Sequence, residues 1–134
     1  MNAPDEPNLT VNQVVGRVAP LASLPYQVRW IVHGNKDEFL LANELIEDVS
    51  SLRYLIDRPQ NASVLTHDQL AAVRSLVSSM DKLCPKLPAW QSHAETAGIS
   101  TDPVWEALRA EANTALKSFG LDVDRLSIED IDRL

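Results

Sequence analysis

Apolar residues recur at helical spacing along most of the 134-residue chain, and the longest such pattern lies between positions 37 and 57. At roughly 100° per residue its apolar positions span an arc of about 120°, which is typical of a helix with one face on a core. Pro59 ends the pattern, and a break near Ala42 and Asn43 is an alternative to one continuous helix. The apolar stripe of this central helix consists of Leu41, Leu45, Val49, Leu52, Leu55 and Ile56.

Capping signals mark the starts of further helices. Thr10 and Thr66 are each followed three residues later by glutamine, which is the spacing of a capping box. Asp102 precedes a proline and Ser127 precedes Asp130 by three, and both are favourable N-cap arrangements. We therefore predict helices that begin at these four positions, with Gly120 ending the third of them.

Two segments leave the type of element open. The valines between positions 11 and 18 keep helical spacing, but they are β-branched, so a strand is the alternative. Ser23 followed by Pro25 favours a second short helix, whereas a short buried strand at Val28 to Val32 is the alternative. The pattern alone does not decide between helix and strand for 26–34.

Composition supports a helical fold. The apolar fraction of 45% and charged fraction of 23% are those of an ordinary globular domain, and four glycines are few for a protein of tight hairpins. We predict an all-α, single-domain irregular bundle of four to six helices over residues 10–134. Residues 1–9 contain two prolines and are expected to form a flexible N-terminal tail.

The net charge and the cysteine content indicate which kind of partner and which cellular compartment to expect. The net charge is −7 without any cluster of basic residues, which argues against nucleic acid and favours a basic protein partner. A single cysteine, the lack of a secretory leader pattern and the lack of a long apolar run predict a cytoplasmic protein without a membrane span.

No motif points to catalysis, a metal or a cofactor. His93-Ala94-Glu95 resembles half of a zinc deaminase site, but the required downstream cysteine pair is missing. Cys84 lies on an apolar arc, so a core thiol is favoured over a nucleophile. The sequence has no serine elbow and no glycine-rich phosphate loop. We expect no catalytic residues, no metal ligands and no cofactor, and a function other than that of an enzyme.

The distribution of acidic residues carries the main functional prediction. Positions 37–57 hold six acidic residues and one arginine, and positions 121–134 hold five acidic residues and two arginines. Like charges four residues apart on a helix are mildly destabilising, so this arrangement suggests selection for an interaction. We predict a partner-binding surface that presents Glu44, Glu47 and Asp48 with Tyr54 as an aromatic anchor. Such a surface suits a toxin-neutralising immunity protein or antitoxin.

Three other interpretations remain open. The acidic stretch is also consistent with an ordinary solvated face in which Asp48 pairs with Arg53, Arg29 or Arg74. A small enzyme or ligand-binding protein would instead use a pocket near Trp30, His33 and Trp105. A homodimer through Phe39 and Ile46 is compatible with either function, because both residues lie off the apolar stripe of the central helix.

Overall fold

The computed structural model describes residues 7–34 and 38–134, with side chains from residue 42 onward in the second range. Within these ranges the chain forms seven α-helices joined by short turns and contains no strand, which confirms the predicted all-α class. The helices are α1 (Val11–Ala22), α2 (Leu24–Gln27), α3 (Glu38–Ser50), α4 (Leu52–Ile56), α5 (His67–Leu83), α6 (Pro103–Lys117) and α7 (Ile128–Asp132). None of the helices in the described residues is long and apolar enough to cross a bilayer.

Helix α6 lies at the centre of the packing, with α1 on one side and α5 on the other. Helix α3 packs against α1 as well, and α7 contacts α1 and α2. The apolar stripe predicted for the central helix supplies Leu45, Val49, Leu52 and Ile56 to the same core, all of them buried. One continuous core therefore unites the predicted helices.

The predicted central helix is divided at Ser51 rather than near Ala42 and Asn43, where α3 runs without interruption. The Ser51 hydroxyl donates to the main-chain carbonyl oxygen of Asp48 at 2.9 Å. Arg17 from α1 donates to the same carbonyl at 3.2 Å and to the Ser51 hydroxyl at 2.6 Å. These donors compete for a carbonyl near the end of α3, so the helix tightens there before α4 begins.

The segments left open by the pattern are helical. The valines of α1 follow a complete capping box at Thr10, and Pro20 near the other end does not interrupt the helix. Ser23 caps α2 by accepting from the Tyr26 N–H, and α2 continues into a π-helical turn at Val28–Val32. In this π-helical turn the His33 N–H donates to the carbonyl of Val28, five residues earlier, at 2.9 Å, whereas an α-helix joins residues four apart.

Part of the predicted N-terminal tail is held on the body of the protein. Leu9 is 3% exposed and belongs to the core. The Asn8 N–H donates to Asn61 Oδ1 at 3.1 Å, and Asn61 Nδ2 donates back to Asn8 Oδ1 at 2.8 Å. Asn8 and Leu9 therefore contact the body of the protein, residues 1–6 lie outside the described residues, and the flexible tail over residues 1–9 stays a prediction.

A buried polar network joins α2 to α6. Gln27 is fully buried, and its Nε2 donates to the carbonyl oxygens of Pro20 and Leu21 at 3.0 and 2.9 Å. Its Oε1 accepts from Arg109 Nη1 at 3.0 Å, and the same nitrogen donates to the Ile99 carbonyl at 2.9 Å. The network satisfies main-chain carbonyls at the end of α1 that the helix itself leaves without donors.

Candidate protein-binding surface on helices α3 and α4

The acidic residues predicted to bind a partner lie on the outer side of α3. Glu44, Glu47 and Asp48 are all exposed, and at about 100° per residue they fall within an arc of about 100°. Tyr54 on α4 is 69% exposed, the largest exposed fraction among the bulky hydrophobic side chains of the described residues. We call these four residues the acidic face.

Tyr54 stands apart from the three carboxylates by one tightened turn. The Ser51 N–H donates to the Glu47 carbonyl at 2.9 Å, and the Tyr54 N–H donates to the Ser51 carbonyl at 3.1 Å, a shorter spacing than in an α-helix. Tyr54 therefore follows the three carboxylates along the chain across this tightened turn, and all four side chains are exposed.

The arginines that could have neutralised Asp48 are occupied elsewhere. Arg53 pairs with Asp81 on α5 at 2.6 Å, and Arg74 pairs with Asp57 at 2.9 Å. Among residues 7–34 and 42–134, no ion pair involves the carboxylate of Asp48. The interpretation of Asp48 as one half of an ion pair with Arg53 or Arg74 is therefore wrong.

The third candidate partner for Asp48 is also engaged. The guanidinium carbon of Arg29 lies 4.4 Å from the centre of the Trp30 ring, a cation–π arrangement. Glu44 and Glu47 likewise have no cation within ion-pair distance in the part of the chain that the structure describes. The three carboxylates on adjacent turns are thus exposed and have no ion-pair partner among the described residues.

Arg17 hydrogen-bonds to the main chain at the end of α3 rather than to a carboxylate of the acidic face. Its Nη1 donates to the main-chain carbonyl of Asp48 and to the Ser51 hydroxyl, as described above, and not to the Asp48 carboxylate. The half-buried guanidinium therefore fixes the turn between α3 and α4. The relative placement of the carboxylates and Tyr54 is set by this turn.

The structure does not assemble the pocket predicted near Trp30, His33 and Trp105. Trp105 is buried and stacks on Trp90 with ring centres 5.9 Å apart and planes 7° apart. A groove of about 160 Å³ runs beside this pair, and neither Trp30 nor His33 lines it. His33 is exposed, while Trp30 is half-buried with its indole Nε1 sealed from solvent and without a hydrogen-bond partner among the described residues.

The residues predicted for a homodimer contact are only partly described. Ile46 is half-buried and packs against the core, so it has a partner within the domain. The side chain of Phe39 lies outside the described residues. The homodimer stays a prediction.

A second concave region, which the sequence pattern did not predict, lies beside α6. It has a volume of about 350 Å³ and is walled by the α1–α2 junction, by one face of α6 and by the segment after Leu121. Glu106, Arg109 and Asn113 line it at spacings of three and four residues, and Asp124 faces them from the segment at Val123–Arg125. The signal that could have located it is the position of Arg109, which falls on the buried face of α6 together with Trp105 and Ala112.

Groups suited to nucleophilic or metal chemistry are not gathered at either region. Burial raises the pKa of the half-buried Cys84 thiol, and the nearby Asp81 carboxylate raises it further, so the reactive thiolate is disfavoured. No set of three or more metal-ligating side chains converges within the described ranges. Comparison with protein-family models, with characterised proteins and with solved structures gives no match.

Proposed function

We propose that this chain is a protein-binding module that presents the acidic face to a basic protein partner. The observation that supports this function is the set of three exposed carboxylates, Glu44, Glu47 and Asp48, on adjacent turns of one helix without a neighbouring cation in the described structure. Exposed acids that serve only solubility are normally interspersed with lysine or arginine. Here the nearest arginines instead pair elsewhere or support the main chain.

A surface of this kind favours fast and selective association. Clustered charge of one sign attracts an oppositely charged partner over several ångströms and accelerates encounter, with an effect that falls as salt rises. Tyr54 supplies a large, exposed aromatic side chain on the following helix, and aromatic residues are frequent binding hot spots. The carboxylates would thus orient the partner and Tyr54 would hold it.

More specifically, we propose that the partner is a basic toxin or enzyme and that this chain neutralises it, as an immunity protein or antitoxin does. An acidic surface of this size can cover the positively charged cleft with which such an enzyme holds an anionic substrate. The mode of action would be steric and electrostatic exclusion, with no bond made or broken by this chain.

The test compares three proteins of defined charge. The first is the wild type, and the second carries Glu44→Lys, Glu47→Lys and Asp48→Lys. The third, a charge-matched control, carries Asp68→Lys, Glu129→Lys and Asp132→Lys, three exposed acids without side-chain hydrogen bonds among the described residues. Each is immobilised and exposed to the lysate of the source cell, and retained proteins are identified and then purified for kinetic measurement.

The expected result is one basic protein that the wild type and the control variant retain and the acidic-face variant does not. With that protein purified, the association rate constant should fall at least about tenfold in the acidic-face variant and should fall with ionic strength for the wild type. Tyr54→Ala should chiefly accelerate dissociation. Equal retention by all three proteins would exclude the acidic face as the binding surface.

A further inference from the structure

The cavity beside α6 contains a buried cation whose hydrogen-bonding capacity is only partly used. Arg109 is 8% exposed, and in the described structure only its Nη1 makes hydrogen bonds, to Gln27 Oε1 and to the Ile99 carbonyl. No carboxylate lies within ion-pair distance of it among the described residues. A guanidinium has five N–H donors, so Nε and Nη2 remain available.

The unused donors of Arg109 are accessible to solvent. The only fully buried side-chain nitrogen or oxygen left without a partner in the described residues is Trp30 Nε1, so Arg109 Nε and Nη2 are not sealed in the protein interior. Arg109 lines the cavity of about 350 Å³. Buried charges in proteins are usually paired, and a cation of this kind is stabilised when an anion reaches it. A ligand carboxylate would supply that anion.

A second donor stands one turn along the same helix. Asn113 also lines the cavity, and its Oδ1 accepts from the Val123 N–H at 3.2 Å, which directs the side-chain amide. The Nδ2 group of Asn113 has no acceptor among the described residues. Arg109 and Asn113 are therefore two adjacent sources of N–H donors for one carboxylate.

Two negatively charged carboxylates also line this cavity. Glu106 precedes Arg109 by three residues on α6, and Asp124 lies on the facing wall. Both are exposed, and neither has a cation within ion-pair distance in the described part of the chain. Two carboxylates would repel a phosphate or another strongly anionic ligand, whereas they would attract an ammonium group. The walls of the cavity thus carry N–H donors that suit a ligand carboxylate and carboxylate acceptors that suit a ligand ammonium group.

We propose that this cavity is a binding site for a small zwitterionic amino acid, with its carboxylate on Arg109 and Asn113 and its ammonium group between Glu106 and Asp124. A site of this volume is at the lower end of the range that encloses small ligands. The site lies on α6, away from the acidic face, and it is independent of the proposed protein-binding function.

The test uses residue-specific NMR titration of the full chain at constant ionic strength. Glycine, β-alanine and γ-aminobutyrate are the zwitterionic probes, and acetate, methylammonium and inorganic phosphate carry single types of charge. The reporters are the Nε–H of Arg109 and the side-chain amide of Asn113. The expected result is a saturable shift of both reporters with at least one amino acid, at a Kd tenfold or more below those of the three other probes.

Two variants and one matched control distinguish a ligand site from a purely structural arginine without removing Arg109. Ala110→Trp places a large side chain at the cavity wall from an exposed position and should weaken amino acid binding at least tenfold. Ala71→Trp, on an exposed position of α5, is the matched control and should bind as the wild type does. Glu106→Gln should weaken amino acid binding and leave acetate binding unchanged or stronger.

Three outcomes would overturn the proposal. The first is the absence of a saturable shift with every amino acid, which would leave Arg109 with a structural role only. The second is equal binding by wild type and Ala110→Trp. The third is binding of acetate or phosphate as tight as that of the amino acids, which would define a site for anions alone.

Discussion

Arg53 holds Asp81 through two hydrogen bonds, from Nη2 to Oδ1 at 2.6 Å and from Nη1 to Oδ2 at 3.2 Å. The pair joins α4 to α5, and the Arg53 Nε also donates to the Ser50 carbonyl at the end of α3 at 3.1 Å. This location is favourable for a cation because the C-terminal end of a helix carries partial negative charge. Arg53 therefore stabilises the junction of α3, α4 and α5, and among the described residues it makes no ion pair with a carboxylate of the acidic face.

The first prediction concerns the protonation of Asp81. The Arg53 guanidinium, chiefly through its hydrogen bonds, holds the pKa of the Asp81 carboxyl below its usual range. A carboxyl with a lowered folded-state pKa stabilises the fold above its unfolded-state pKa, and that contribution is lost as pH falls through the folded-state value. Replacement Arg53→Met should therefore raise the pKa of Asp81 toward the ordinary value of an aspartate. The difference in unfolding free energy between wild type and variant should shrink as the pH is lowered.

Carboxyl carbon NMR titration measures the pKa, and urea unfolding at neutral and acidic pH measures the stability. Arg125→Met is the control, because Arg125 has no ion pair among the described residues and should leave Asp81 unchanged. An unaltered pKa of Asp81 in Arg53→Met would contradict the role of the pair.

The second prediction is that the acidic face costs stability. Glu44 and Asp48 are four residues apart on α3, and like charges at that spacing destabilise a helix by about 0.2–0.5 kcal/mol. Glu44→Gln should therefore raise the free energy of unfolding by a few tenths of a kcal/mol, which denaturant unfolding with replicate curves can resolve. A double-mutant cycle with Asp48→Asn isolates the pair. Additive effects of the two substitutions would show that the carboxylates do not repel each other.

The third prediction concerns the buried network of Gln27. Gln27→Met keeps the approximate size of the side chain but leaves the Pro20 and Leu21 carbonyls without donors and removes an acceptor from Arg109. Buried groups left unpaired cost about 1–3 kcal/mol each, and we expect a total loss of about 3 kcal/mol in urea unfolding. Gln60→Met, at a half-buried position without a described side-chain hydrogen bond, should change stability by less than about 0.5 kcal/mol. Equal losses in the two variants would count against the network.

Local signals in the sequence were sufficient for the helix starts. The capping boxes at Thr10 and Thr66 and the caps at Asp102 and Ser127 all form as predicted, because each depends on residues at most three positions apart. The buried apolar residues of α6 follow helical spacing for the same reason, since that spacing determines which residues share a face: they are Trp105, Leu108, Ala112, Ala115 and Leu116.

Features that depend on distant residues were not predictable from the pattern. The turn at Ser51 is stabilised by Arg17 from another helix, so no local signal placed the end of α3 there. Gln27 and Arg109 lie on buried faces of their helices, and each supplies a hydrogen-bond partner for the other. Because the two residues are far apart in the sequence, the local pattern does not predict that these polar side chains are buried. Of Trp30, His33 and Trp105, which were predicted to line one pocket, only Trp105 borders the groove beside Trp90, and none of the three lines the cavity beside α6.

The last prediction concerns Gly120, which ends α6 as the sequence indicates. Its φ of +77° lies in the left-handed region. Two hydrogen bonds close the turn: the Gly120 N–H donates to the Lys117 carbonyl at 3.0 Å, and the Leu121 N–H donates to the Leu116 carbonyl at 3.2 Å. A Cβ at this position would meet nothing within 4 Å, so any cost of Gly120→Ala is conformational rather than steric. We expect a loss of about 1 kcal/mol in unfolding free energy, and a smaller loss for Gly120→Asn.

The matched control for this substitution is Gly98→Ala. Gly98 has an ordinary φ, and a Cβ there would come no closer than 3.9 Å to the Trp90 indole nitrogen, so alanine should be tolerated or slightly stabilising. Because the turn at Gly120 directs the chain into the segment that walls the α6 cavity, Gly120→Ala should also shift the NMR signals of Asn113 and Val123, which are joined by a hydrogen bond. If the two glycine variants were equally stable, the left-handed conformation at Gly120 would carry no energetic cost, and the explanation of how α6 ends would have to be abandoned.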